Sequence, residues 1–166
     1  MREVILIKTG EIALKGLNRG SFEDILVKNI RWRLKPFGKF EIQRAQSAIT
    51  LQPLSDDIDL DEVCEAVGKI FGIAAYSRAL VTEKDFETIR RDAVVYLESA
   101  MEDIRTFKVE AKRSDKRFPY TSPEISAELG GDLLQAYPHL KVDVRHPDMT
   151  VMVEIRDYAA YIHGPH

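Results

Sequence analysis

The apolar positions of the chain change period as it runs, and each change marks an element. Val4 to Thr9 reads as a strand. Beyond a connection punctuated by glycines, Phe22, Ile25, Leu26, Ile30 and Leu34 recur at spacings of three and four. That is the buried stripe of a helix, with Ser21 placed to cap it. Pro36 and Gly38 end the helix. Phe40 to Arg44 and Ala48 to Leu51 then form a hairpin about Ala45-Gln46-Ser47. Asp59 with Glu62 three residues on is a variant capping box. It opens a second helix whose inward side is Leu60, Val63, Cys64 and Val67. Gly72 stops that helix, and Ala74 to Leu80 returns to strand. The order is β-α-β-β-α-β.

A second series begins at Thr82, which the pattern predicts as an N-cap with Asp85 at the N3 position. The stripe of the helix that follows is Phe86, Ile89, Ala93, Tyr96 or Leu97, Ala100 and Ile104. Phe107, Val109 and Ala111 then alternate with Lys108, Glu110 and Lys112, the period of a strand. Ser122 as N-cap and Pro123 at the first helical position open a helix to about Ala136, burying Ile125, Leu129 and Leu133. Gly130-Gly131 inside it costs about 1 kcal/mol per glycine relative to alanine, so the pair predicts close backbone packing. Pro138 closes the helix, and short strands follow at Lys141 to Val144, Val151 to Ile155 and Ala159 to Ile162. The fold class is therefore mixed α+β. A ferredoxin-like, split βαβ domain occupies residues 1–78 and a second α/β domain residues 79–166. No Gly/Ser linker separates them, so the two are expected to pack together.

Composition narrows the class. The chain has 166 residues, 45% hydrophobic and 31% charged, which suits a globular chain of one large or two small domains. No apolar run is long enough to span a membrane, and the first residues read as a strand rather than a signal peptide. A single cysteine, Cys64, excludes an internal disulfide and fits a reducing, cytoplasmic location. Its place on an apolar stripe makes it a core residue rather than a nucleophile. Net charge is −3, yet residues 1–35 carry +4 and residues 105–121 carry +4. An acidic chain with two concentrated basic segments focuses positive potential instead of spreading it.

The basic segment of the second domain is the strongest candidate site. Lys112, Arg113, Lys116 and Arg117 are followed at once by Phe118 and Tyr120 and then by a helix start. Such a loop can meet phosphate with side-chain charge and with the free N–H groups of the helix, and can offer a ring for a base to stack on. Phe118 has two readings, a stacking platform or a buried anchor for the loop. The second candidate is the connection from Thr9 to Gly20, where Lys15, Asn18 and Arg19 offer donors beside a helix start. A structural turn is the competing reading there. Its spacing is not that of a Walker A loop or a dinucleotide fingerprint. Lys28, Arg31 and Lys35 recur on the following helix, either to extend a phosphate-tracking surface or as its solvated face. His139, His146, His163 and His166 lack metal-site spacing, and no Gly-x-Ser-x-Gly occurs. Asp56, Asp57 and Asp59 lack the glycine and distal glutamate of an EF-hand loop. The sequence assigns no catalytic residue, no metal and no cofactor to this chain.

Two segments carry a family resemblance. They are Gly10-Glu11-Ile12-Ala13-Leu14-Lys15-Gly16-Leu17-Asn18-Arg19 with Phe22-Glu23, and Lys112-Arg113-Ser114-Asp115-Lys116-Arg117-Phe118-Pro119 with Ser122-Pro123-Glu124-Ile125. Together they resemble the tRNA 4-thiouridine synthetase, or tRNA sulfurtransferase, family, over its N-terminal ferredoxin-like domain and its THUMP domain. The resemblance implies a parent enzyme that continues into an ATP-pyrophosphatase domain with a Ser-Gly-Gly-x-Asp-Ser loop and a persulfide-handling cysteine. This sequence contains neither, so the resemblance implies a non-catalytic region, with ATP belonging to the missing domain. It further implies tRNA as partner, held by its acceptor stem and 3′ end, a sulfur-donor protein for the parent, a homodimer, and a role in thiamine thiazole synthesis. The competing classes are an RNA-binding piece of another THUMP enzyme and a stand-alone ferredoxin-like adaptor for a ligand or protein.

Overall fold

The computed structural model of the chain describes residues 2–9, 19–45 and 48–165, with the backbone alone at residues 19, 20 and 45. The chain divides into two compact units, Glu3–Arg78 and Ala79–Pro165, the second also holding Arg2. Among the described residues no helix is long and apolar enough to cross a membrane.

The first unit contains β1 (Arg2–Thr9), α1 (Arg19–Leu34), a 3-10 turn (Lys35–Phe37), β2 (Phe40–Ala45), β3 (Ala48–Pro53), α2 (Leu60–Val67) and residues 73–78 of β4 (Ile73–Thr82). Strand order is β2-β3-β1-β4. β3 is antiparallel to both neighbours, with Leu51 opposite Ile5 on one side and Ile42 on the other. Ile5, Ile7, Ile49 and Leu51 bury against Leu26, Ile30 and Leu34 of α1 and Val63 and Val67 of α2. Asp59 caps α2 by accepting the N–H groups of Asp61 and Glu62.

Three expectations for this unit change. α1 starts at Arg19, so Ser21 lies inside it and caps nothing. Its buried stripe is Leu26, Val27, Ile30 and Leu34, whereas Ile25 is 60% exposed. At 3.6 residues per turn Ile25 stands about 140° round the helix from Ile30, so it belongs to the outer face. α2 ends at Val67, five residues before Gly72, which makes a separate turn. Gly72 has φ +98°, and a Cβ there would approach the Phe22 ring to 2.6 Å, so this turn requires glycine.

The second unit contains the end of β4, α3 (Phe86–Tyr96), α4 (Glu98–Glu102), β5 (Thr106–Arg113), α5 (Ser122–Ala136), β6 (Lys141–Val142), β7 (Met149–Ile155) and β8 (Ala160–His163). Strand order is β4-β8-β7-β5-β6. β5 runs parallel to both β6 and β7, which requires a crossover, and α5 makes it. Phe107, Ile125, Leu129, Leu133, Val151 and Val153 are fully buried and form one core with Ile89 and Met101.

Here too the details shift. Thr82 pairs with Ala160 and stays in the sheet, so Asp85 caps α3 by accepting the Thr88 N–H at 3.1 Å. The α3–α4 stripe runs through Ile89, Ala93, Leu97 and Met101, which adds Met101 to the expected set, and the expected Ile104 packs half-buried against the same core. β6 stops at Val142 because the Asp143 carboxylate accepts the N–H groups of Arg145 and His146, closing a turn. Thr121, not Ser122, caps α5. Gly130 and Gly131 do not mark a close approach, because a Cβ on either would meet no other atom within 4 Å.

Candidate nucleic-acid interface

The basic loop begins where β5 outruns its partner. Arg113 is the last residue in register, opposite Ile155. The Ser114 N–H then donates to the Ile155 carbonyl at 2.8 Å, and the Asp115 N–H reaches the same oxygen at 3.4 Å. This double contact tips Asp115 inward, leaving it 5% exposed. Its carboxylate accepts from Lys84 Nζ, and from both the backbone N–H and Nε of Arg117 at 3.0 Å. Lys84, and after it Arg117, hold this carboxyl well below the usual aspartate range. The anion inside the basic run is therefore the hub around which the loop folds.

From that hub the chain reaches Phe118, whose N–H donates to the Asp115 carbonyl at 3.4 Å and whose own carbonyl accepts from Arg113 Nη1 at 3.2 Å. The Phe118 side chain is buried, edge-on to the Phe86 ring at 6.4 Å, with Tyr120 6.0 Å away. Phe86 and Tyr120 close the cluster at 4.4 Å. Arg90 lies 5.5 Å above the Phe86 ring and makes a two-pronged ion pair with Asp132, tying α3 to α5 behind the aromatics. Of the two roles open to Phe118, it occupies the anchoring one. A ring packed among core side chains is not available to stack on a base.

The four cations separate accordingly. Lys112 and Lys116 are exposed, and the Arg117 side chain is 81% exposed although its Nε is tied to Asp115. Arg113 is half-buried and braces the loop from inside. The N-terminus of α5 supplies fewer free donors than expected of it. Thr121 Oγ1 accepts the Glu124 N–H, the Glu124 carboxylate accepts the Thr121 N–H, and Pro123 has no N–H to give. Glu124 is held below its usual pKa by that backbone bond, so it places a negative charge at this terminus. Anion binding at this loop falls mainly to the side chains of Lys112, Lys116 and Arg117.

Lys15 and Asn18 lie outside the described residues, and Arg19 is described only as the first backbone position of α1. Lys28 and Arg31 are exposed on that helix, and Lys35 is exposed in the 3-10 turn that follows it. The Cys64 thiol is pushed up to about 11, first by burial and then by Asp61, which keeps it protonated at neutral pH. Sequence reasoning missed Lys84 and Phe86 as partners of the loop, and the role of Asp115 as its hub. Asp115 carried a signal, being an acid in the middle of four cations. Lys84, 31 residues away, carried none.

Comparisons with known proteins converge on one family. A ThiI ferredoxin-like domain matches residues 4–77 and a THUMP domain matches residues 83–163. The chain is 44% identical over 166 residues to the "Probable tRNA sulfurtransferase" of Acetivibrio thermocellus, covering 99% of this chain and 42% of that protein. The crystal structure of a 4-thiouridine synthetase–RNA complex with bound ATP superposes with a TM-score of 0.83 at 32% identity, over 99% of this chain and 41% of that one. A protein of Pyrococcus horikoshii superposes with a TM-score of 0.86 at 30% identity, over 98% of this chain and 53% of that one. The chain thus spans about two fifths of the length of the tRNA sulfurtransferase it matches.

Proposed function

Because the chain belongs to the tRNA sulfurtransferase family, as its ferredoxin-like and THUMP domains, we propose that it is the tRNA-holding part of an enzyme that makes 4-thiouridine. It grips the acceptor stem and 3′ end and positions the target uridine for a catalytic domain outside this chain. ATP, the sulfur-donor protein and the thiamine thiazole role belong with that other part. The observation that carries this reading is the preset loop. Lys112, Lys116 and Arg117 are presented outward from a segment whose path is fixed by Asp115, in a chain whose net charge is −3. A-form RNA is met through its backbone and shape, and a pinned row of cations suits that task because little conformational entropy is lost on contact.

The test is tRNA affinity across a salt series for the wild type and for the triple variant Lys112→Gln/Lys116→Gln/Arg117→Gln. The log–log salt slope is expected to fall by about 0.9 per lost duplex contact, or about 0.7 where the strand is single. Arg113 is left in place because it braces the Phe118 carbonyl, and circular dichroism serves as the folding control. An unchanged slope and affinity in the folded triple variant would withdraw these residues from RNA binding.

A further inference from the structure

The first unit has a groove of about 360 Å³ where α1 gives way to β2. Its rim carries Arg31, Lys35 and Lys39, and its apolar surface is Leu34, Phe40, Ile42 and Leu54. Among the described residues no carboxylate lines it. Glu41 sits between Phe40 and Ile42 on β2, but strand alternation sends it to the opposite face. Among the described residues none of the three cations is ion-paired, in contrast to Arg44 nearby, which Asp24 holds at 2.7 Å. The rim is rigid. Gly38 turns with φ +132°, a conformation that needs glycine, and the Leu54 N–H donates to the Lys39 carbonyl at 2.9 Å. Leu54 is 57% exposed at one wall.

A groove of about 520 Å³ between α3 and α5 does not compare. Its principal cation, Arg90, is met by Asp132, Glu128 and Glu87. The groove beside α1 instead combines positive charge without an ion pair and exposed apolar surface. A ligand that matches both is an anion with a flat, apolar-faced ring. We propose that this groove takes an unpaired nucleotide of an RNA strand, its phosphate on Arg31, Lys35 and Lys39 and its base against Leu54 and Phe40. The proposal rests on the RNA-binding reading and adds a second contact point that does not involve the 112–120 loop. Its volume falls in the range of small-ligand sites, enough for one nucleotide rather than a duplex.

The experiment uses the full chain with three probes: a fluorescein-labelled single-stranded oligouridine, a blunt RNA duplex, and free UMP. Two variants are compared with wild type, Arg31→Gln/Lys35→Gln/Lys39→Gln and Leu54→Glu, all at exposed positions, with thermal unfolding as the folding control. Single-strand affinity should fall about ten-fold in each variant, the scale of one lost stacked base, and duplex affinity should change much less. Unchanged single-strand affinity in folded variants overturns the proposal, and so does an equal loss on duplex and single strand, which marks a general charge effect. Displacement of the oligouridine by UMP at equal nucleotide concentration overturns the strand assignment in favour of a small-molecule site. The loop triple variant separates the two claims. If it weakens tRNA binding while the groove variants do nothing, the groove is withdrawn and the loop reading stands. If only the groove variants weaken single-strand binding, the reverse holds.

Discussion

In the 112–120 loop the cations gather around a buried carboxylate, whereas at the end of α1 they gather around none. The first cluster spends part of its charge on its own shape. Arg117 is shared with Asp115, Arg113 is turned to the Phe118 carbonyl, and Lys84 is drawn in from outside the loop. The second needs no such outlay, because the backbone hydrogen bonds of a helix and a glycine turn already fix Arg31, Lys35 and Lys39. A count of positive residues treats the two as equals. The difference shows that a loop must be built by some of the charges it displays, while a helix can leave all of its charges to a partner. It also implies different sensitivities: the loop should respond to acid and to loss of its anchor, and the helix face to neither.

The largest expected effect tests the anchor. Phe118→Ala should destabilise the second unit by about 3–5 kcal/mol, read from urea unfolding, because its ring fills a core position. Leu129→Ala, fully buried in α5, should cost about 2–5 kcal/mol by the same measurement. Trp32→Ala on the outer face of α1 should shift stability by less than about 0.5 kcal/mol. Equal losses at Phe118 and Trp32 would break the comparison between a built loop and a ready-made face.

Acid provides the next test. The Asp115 carboxyl is depressed in the folded state below its ordinary value of 3.8, so its stabilisation is fully present above that value. It is lost as pH falls below 3.8 toward the folded value. The unfolding midpoint of wild type should therefore exceed that of Asp115→Asn at neutral pH, with the gap narrowing through this acid range. The triple variant at Arg31, Lys35 and Lys39 should track wild type throughout. A gap for Asp115→Asn that stays constant with pH would show that the carboxylate is not the hub of the loop.

The smallest effect sharpens the comparison from the other side. Gly131→Ala should stabilise α5 by about 0.5–1 kcal/mol, since the added methyl meets nothing and the helix gains an alanine. As the same helix carries the cap that follows the loop, RNA affinity should stay at the wild-type value. A gain in stability that also weakens binding would mean that the loop works by flexibility rather than by preset geometry.

Much of this was legible before any coordinates. The stripe Leu26, Ile30, Leu34, the cap at Asp59, the strand at Phe107 and the helix burying Ile125, Leu129 and Leu133 all follow from period and capping chemistry, which act within a few residues. The errors cluster where two local signals competed. Ile25 is as apolar as Leu26 but lies off the stripe. Thr82 and Asp85 are both good caps, as are Thr121 and Ser122, and only the sheet ladder or the reach of Glu124 chose between them.

The sequence by itself determined the elements, the division of charge into two basic segments, and a family resemblance carried by two motifs. Only the tertiary structure decided which charges are available. Lys84 meets Asp115 across 31 residues, Phe86 receives Phe118 and Tyr120 across more than that, and Arg31 lines a groove with Leu54. Local propensity is written in neighbouring residues and can be read from them. The pairing of a charge depends on which side chains the fold brings within about 4 Å, and that distance has no counterpart in the order of residues along the chain.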